Sequence, residues 1–291
     1  MMTAPRHELS GEVHSLGLAL GGGGIRGLAH IPVLEELDAM GVRPAAIAGT
    51  SMGAIIGSLY ASGMSGRDIR DLVEEHSLHP SHGLRDVLDQ GSRLIEWATS
   101  LVPEMRRGGL LNVDRLLERL MGRVGDLTFE ELEIPLYVVA TDYWCSRQVV
   151  LESGPVLQAV RASMAVPGVF APVVVSGRVL VDGGLVNNLP YDLLTGWLET
   201  VIAVDVTGQR TPGRHKTPSA VDAIMGSLDI MQSAALARKL DLSEPAILIT
   251  PEIHDVGMLE FSRSQEVLDQ SSGAGETLRS RLEALGIRQV R

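Results

Sequence analysis

Three short stretches carry residues that could do chemistry together. The first is "GTSMG", Gly49 to Gly53, which places Ser51 in a GxSxG pattern between a short apolar stretch and a run rich in small residues. A serine on a sharp strand-to-helix turn is pushed outward as a nucleophile. It also sits at a helix N-terminus, where the dipole favours developing negative charge. The small residues Gly53, Ala54, Gly57 and Ala61 let the helix approach the strand closely. The motif alone is common, and a serine that merely caps a helix reads the same way.

The second stretch is "LALGGGGIRG", with consecutive glycines from Gly21 to Gly24. Gly22, Gly24 and Gly27 fit GxGxxG, but a dinucleotide site also expects an acidic residue at the end of the second strand. Here that strand ends in Gly49-Thr50-Ser51. A phosphate-binding loop expects Gly-Lys-Ser/Thr after the glycines, and none follows. What remains is an oxyanion hole, in which bare backbone lets N–H groups reach a tetrahedral intermediate. A tight turn without chemistry is the competing reading, although ordering four glycines is entropically costly.

An activated serine needs a base. The eight histidines are His7, His14, His30, His76, His79, His82, His215 and His254, and none lies in a tight motif. The third stretch, "VLVDGGLVNNLP", instead puts Asp182 at the end of an apolar strand before two glycines. A carboxylate there can be aimed at a site; an ordinary Asp-Gly hairpin turn would look similar.

The elements that must position these groups alternate between strand and helix. Strands are expected at Val13 to Leu20, Pro44 to Gly49, Pro135 to Asp142, Val201 to Thr207 and in "AILITP". The segment "RQVVLES" is expected to pair with the third of these, and "VVVSGRVLVDGG" to form a hairpin. Helices are expected from about Ile25 to Met40, after Ser51, from Ser219 to Leu242 and from Ser264 to Leu285. Ser65 with Asp68 forms a capping signal. Residues from about 66 to 130 read as mostly helical, with breaks at Pro80, Gly91, Pro103 and Gly108–Gly109. This alternation implies an α/β fold of helix, sheet and helix layers around a largely parallel sheet. Residues 1–12 read as a disordered tail and 13–291 as a single domain.

Composition limits the options. The 291 residues are 45% hydrophobic but only 3% aromatic, so aliphatic side chains must fill the core. A net charge of −11 opposes binding to nucleic acid. The single Cys145 excludes an internal disulfide and a cysteine-rich metal site, which fits a reducing cytoplasm. No apolar run reaches membrane-spanning length, and the N-terminus has no signal-peptide core. "RLIEWATSLVPEMRR", Arg93 to Arg107, fits either a lid over an acyl groove or an ordinary amphipathic helix packed on the sheet.

Taken together, "GGGGIRG", "GTSMG", "ASMAVPGVFAPV" and "DGG" resemble the patatin-like phospholipases, especially their small bacterial members, over residues 17 to 200. The resemblance implies a Ser–Asp dyad, with Ser51 as nucleophile and Asp182 as base. It implies an oxyanion hole at Gly22, Gly23 and Gly24, with Arg26 steadying that loop. It assigns no chemical role to the block around Ser163, Pro167 and Pro172. The expected activity is hydrolysis of a phospholipid or another fatty acyl ester. It would use no metal or organic cofactor, in the cytoplasm, with peripheral contact at the inner membrane. Two rivals stand beside it: an α/β-hydrolase with Ser51, an acid and His254, and a non-catalytic partner-binding module.

Overall fold

A computed structural model describes residues 15–78, 121–122, 124–211, 217–218 and 220–288. The tail, the Pro80 to Gly109 breaks, the Arg93–Arg107 segment and His7, His14, His79, His82 and His215 lie outside these residues.

The strands are β1 (Leu16–Leu20), β2 (Ala46–Thr50), β3 (Leu136–Asp142), β4 (Arg147–Leu151), β5 (Val173–Val175), β6 (Arg178–Asp182), β7 (Thr200–Val204) and β8 (Ile247–Ile249). They form one mixed sheet whose hydrogen-bonded neighbours follow the path β5-β6-β3-β2-β1-β7-β8, with β4 on the other edge of β3. Strands β3, β2, β1, β7 and β8 run parallel, while β4 and β6 oppose β3. The helices are α1 (His30–Met40), α2 (Met52–Ala61), α3 (Gly66–Leu78), α4 (Val156–Ser163), α5 (Ala220–Leu242), α6 (Ser264–Gln270) and α7 (Ala274–Ala284).

Period-two alternation sorts the strand residues between two cores. Leu18, Leu20, Ile47, Ile202 and Val204 face one layer, with Ile31 and Leu34 of α1, Ile55 and Leu59 of α2 and Leu278 and Leu282 of α7. Ala19, Ala46, Ala48 and Ala203 face the other, against Tyr191, Leu194 and Leu236 of α5. The result is a three-layer α/β/α fold. Alanines on the second face let the Tyr191 segment lie close to the sheet.

The expected strands, the hairpin and the 219–242 helix appear within a few residues of their predicted bounds. Ser65 and Asp68 form the expected box: the Ser65 hydroxyl accepts the Asp68 N–H at 3.1 Å, and the Asp68 carboxylate accepts the Ser65 N–H at 3.0 Å. Two helices differ from expectation. The 25–40 segment begins as a 3-10 turn over Gly24–Ala29 and becomes α-helical only at His30. Pro32 then falls in the first turn, where its missing N–H costs little. The C-terminal helix is two helices. Ser272 Oγ donates back to the Asp269 carbonyl at 2.8 Å, a side-chain bond that competes with the helical ladder.

Candidate active site

The register of β3 explains how Ser51 and Asp182 meet. Val139 pairs with Thr50 of β2 and with Val150 of β4, so β2 and β4 occupy opposite edges of β3. Ala140 pairs with Val149 of β4 and with Asp182 of β6, so β6 lies on the same edge as β2. Strands β2 and β6 therefore run towards each other along one edge and stop at adjacent positions. The residue after one strand is Ser51, and the last residue of the other is Asp182. The 131 positions that separate them in sequence vanish at this junction.

Ser51 has φ 53° and ψ −119°, a left-handed conformation rare for a residue with a side chain. Such strain costs on the order of 1–3 kcal/mol and persists only where the surroundings enforce it. Gly49 and Gly53 help enforce it, since a Cβ on Gly49 would lie 2.8 Å from the Ala54 backbone and one on Gly53 would overlap the Leu20 carbonyl. The Ser51 N–H donates to Ser163 Oγ at 2.8 Å, and Ser163 Oγ donates to the Val139 carbonyl at 2.6 Å. Ser163 thus ties the elbow to β3.

Asp182 is buried. Its Oδ1 accepts the Gly184 N–H at 2.7 Å, whereas Oδ2 is buried and closes no hydrogen bond. Burial raises its pKa to about 6, against the lowering effects of the nearby Ser51 hydroxyl and the Gly184 amide. The hydroxyl is near enough to favour the charge without completing a bond to Oδ2; such pairs often tighten only when substrate is bound. The Asp182 N–H donates to the Ala165 carbonyl at 3.0 Å, and Thr141 Oγ1 donates to the Asp182 carbonyl at 2.8 Å.

The glycine loop follows β1, the parallel neighbour of β2, so it emerges at the same sheet edge. Each of its first three carbonyls is held by a side chain. His30 Nε2 bonds the Gly21 oxygen at 2.8 Å, Asn188 Nδ2 the Gly22 oxygen at 3.0 Å and Arg26 Nε the Gly23 oxygen at 3.1 Å. Burial lowers the His30 pKa to about 4, so the ring is neutral and Nε2–H is the donor. Arg26 is anchored in turn by Asp229 of α5 at 2.7 Å. The amides are used unequally. Gly21 N–H donates to Val204 and Gly22 N–H to Asn188, each at 3.0 Å. The Gly23 and Gly24 N–H groups have no partner among the described residues.

Gly22, Gly23, Ser51, Asp182, Asn188 and Pro167 line one cleft, closed over by Leu228 and Gln232 of α5 and by Met258. A second, larger groove shares Leu185, Asn188, Leu228 and Gln232 with it and runs along α5 past Met231, Ala235 and Leu236 to Lys239. The sequence-predicted Ser51, Asp182, Gly22 and Gly23 thus share the cleft, while Gly24 lies beside it and Arg26 behind the loop. His254 is exposed, bonded through its backbone to Gln270, and lines neither cavity. Sequence reading overlooked Ser163, His30, Asn188 and Asp229 as supports. Ser163 lies within "ASMAVPGVFAPV", and only its contacts distinguish it from a helix-end serine. No group of acidic, histidine or cysteine side chains suited to a metal occurs among the described residues.

A family model described as patatin-like phospholipase matches residues 18–195. An uncharacterized NTE family protein of Mycobacterium tuberculosis is 37% identical over 204 residues, which cover 69% of this chain and 52% of that protein. Lysophospholipase NTE1 of Eremothecium gossypii is 26% identical over 305 residues, covering 96% of this chain and 19% of that one. The crystal structure of VipD from Legionella pneumophila superposes with a TM-score of 0.48 at 16% identity, covering 90% of this chain and 66% of VipD. The chain spans about half the length of the mycobacterial relative.

Proposed function

The chain belongs to the patatin-like phospholipase family, and from that premise we propose that it is a lipid acyl hydrolase working through Ser51 and Asp182. One observation carries the reading: a strained serine, a buried carboxylate with one oxygen unpartnered and a glycine with an unspent amide line the same cleft.

In the first half-reaction Ser51 Oγ attacks the ester carbonyl carbon while Asp182 Oδ2 takes the hydroxyl proton. A pKa near 6 leaves Asp182 ionised at neutral pH, yet a better base than an ordinary carboxylate. The developing oxyanion is met by the Gly23 amide, with Gly24 beside it. Gly22, whose N–H is bonded to Asn188, lines the hole and sets its position. The C–O bond to the leaving alcohol then breaks and the alcohol takes the proton from Asp182. In the second half-reaction Asp182 removes a proton from water, which attacks the acyl-enzyme; as the bond from the acyl carbon to Ser51 Oγ breaks, Asp182 returns that proton to Ser51 Oγ and the fatty acid is released. The apolar groove along α5 would hold the acyl chain. Membrane lipid is the expected source of substrate, and no described helix is long and apolar enough to cross a membrane.

A fluorophosphonate should label Ser51 in the native protein and not in Ser51→Ala. Absence of native labelling, with the fold intact by circular dichroism, would overturn the hydrolase reading.

A further inference from the structure

The sheet edge that carries Ser51 also carries two rigid hairpins. Strand β3 outruns β2: Val139 is level with Thr50, and the chain continues to Asp142 before turning at Tyr143–Ser146. At about 3.3 Å per residue, Tyr143 stands some 13 Å beyond the elbow strand on the catalytic side. The β5–β6 turn, Ser176–Gly177, lies alongside, because the Tyr143 N–H donates to the Val179 carbonyl at 2.9 Å.

Both tips are built firmly. Asp142 Oδ1 accepts the Cys145 N–H at 3.0 Å across the first. Ser176 and Gly177, with φ 49° and 76°, form a turn matched to strand twist in the second. Nevertheless their apolar side chains face solvent: Tyr143 is 53% exposed, Trp144 76% and Val174 61%. Tyr143 and Trp144 meet edge to face with ring centroids 5.0 Å apart. The exposed Arg147 and Arg178 flank the tips, Arg147 close enough to Asp142 to help lower the pKa of that carboxylate. Trp197, before β7 at the opposite sheet edge, is treated differently: its indole N–H donates to the Leu193 carbonyl and its ring packs on Tyr137.

We propose that the Tyr143–Trp144 hairpin, with its β5–β6 neighbour, docks the protein onto a phospholipid surface and presents the Ser51 cleft to it. Tyr and Trp have the amphipathic rings that settle at a headgroup boundary, and arginine pairs with lipid phosphate. The net charge of −11 opposes a strongly anionic bilayer, so the surface is a zwitterionic one. The proposal rests on the lipid-ester reading for its substrate but is tested separately from it.

Cys145 is the only cysteine of the chain and sits exposed beside Trp144, so an environment-sensitive dye attached there reports on the tip itself. Phosphatidylcholine vesicles should shift its emission to the blue and raise its intensity, in Ser51→Ala as in the unsubstituted protein. Tyr143→Ser/Trp144→Ser should lower hydrolysis of vesicle lipid at least tenfold while hydrolysis of a soluble short-chain ester stays within twofold. Unchanged emission while the protein sediments with vesicles would overturn the proposal, as would full vesicle hydrolysis by the double variant. A dye shift in a protein that hydrolyses neither substrate would uphold the docking surface and sink the hydrolase reading alone.

Discussion

The loop after β1 and the turn after β6 both place glycines at the cleft, and they spend their amides differently. In the Asp182-Gly183-Gly184 turn the Gly184 N–H serves a permanent carboxylate at 2.7 Å. In the Gly21–Gly24 loop the carbonyls are tied back by His30, Asn188 and Arg26, while the Gly23 amide stays unspent. Space forces glycine in both. A Cβ on Gly183 would overlap the Val139 carbonyl, and one on Gly23 would come within 2.6 Å of the Val206 carbonyl. The contrast teaches that a glycine-rich turn is defined by what its N–H groups face. One turn stabilises a charge present in the resting protein; the other is free to stabilise a charge that exists only during reaction.

The sharpest way to break this comparison is to remove the resting charge. Asp182→Asn keeps the shape and the Gly184 bond but cannot take a proton, so kcat should fall by about 10⁴-fold or more on a fatty acyl ester. Full activity would show that the Gly184-bound carboxylate is not the base. Next in size is the free amide: Gly23→Ala keeps the N–H but adds a Cβ that would lie 2.6 Å from the Val206 carbonyl, so the loop must shift and carry the amide off the oxyanion, and kcat should fall by up to about 10²–10³-fold, the loss for one misplaced oxyanion donor of about 2.7–4 kcal/mol. If KM alone rises, the loop binds substrate without serving the transition state.

A pH series sharpens the comparison further. With Asp182 required ionised, kcat/KM should rise with pH to a plateau, with its midpoint near 6. Stability runs the other way. The folded pKa lies above the unfolded value, so folding favours the protonated form. That contribution is complete below the unfolded pKa of 3.8 and is lost as pH rises through about 6. Asp182→Asn should therefore melt higher than the unsubstituted protein at pH 8, by at most about 3 kcal/mol, with the difference vanishing near pH 4. The smallest expected effect concerns the elbow. Ser51→Gly and Ser51→Ala should both be inactive, but the glycine variant should be more stable by about 1 kcal/mol in urea titration, because it relieves the positive φ.

Much of this site was legible in the sequence. Alternating strand and helix patterns placed Ser51 and Asp182 at strand ends, and the glycine count before Ile25 marked a loop needing bare backbone. The helical break at Ser271–Gly273 was not legible, because serines tolerate helix until their hydroxyls turn back on its carbonyls. The support from Ser163, and that from Asn188, which grips both the N–H and the oxygen of Gly22, were equally hidden. Each depends on a partner more than a hundred residues away, and no local pattern encodes such a pairing.

Sequence by itself determined which residue types were present to act, which turns required glycine and which strand faces were apolar, since these follow from steric and hydrophobic rules acting over a few neighbours. Tertiary structure decided that β2 and β6 meet head to head on one edge of β3, that Gly22 surrenders its amide while Gly23 keeps it, and that burial lifts the Asp182 pKa towards 6. Those outcomes depend on register, hydrogen-bond competition and desolvation, which arise only once distant segments are packed against one another.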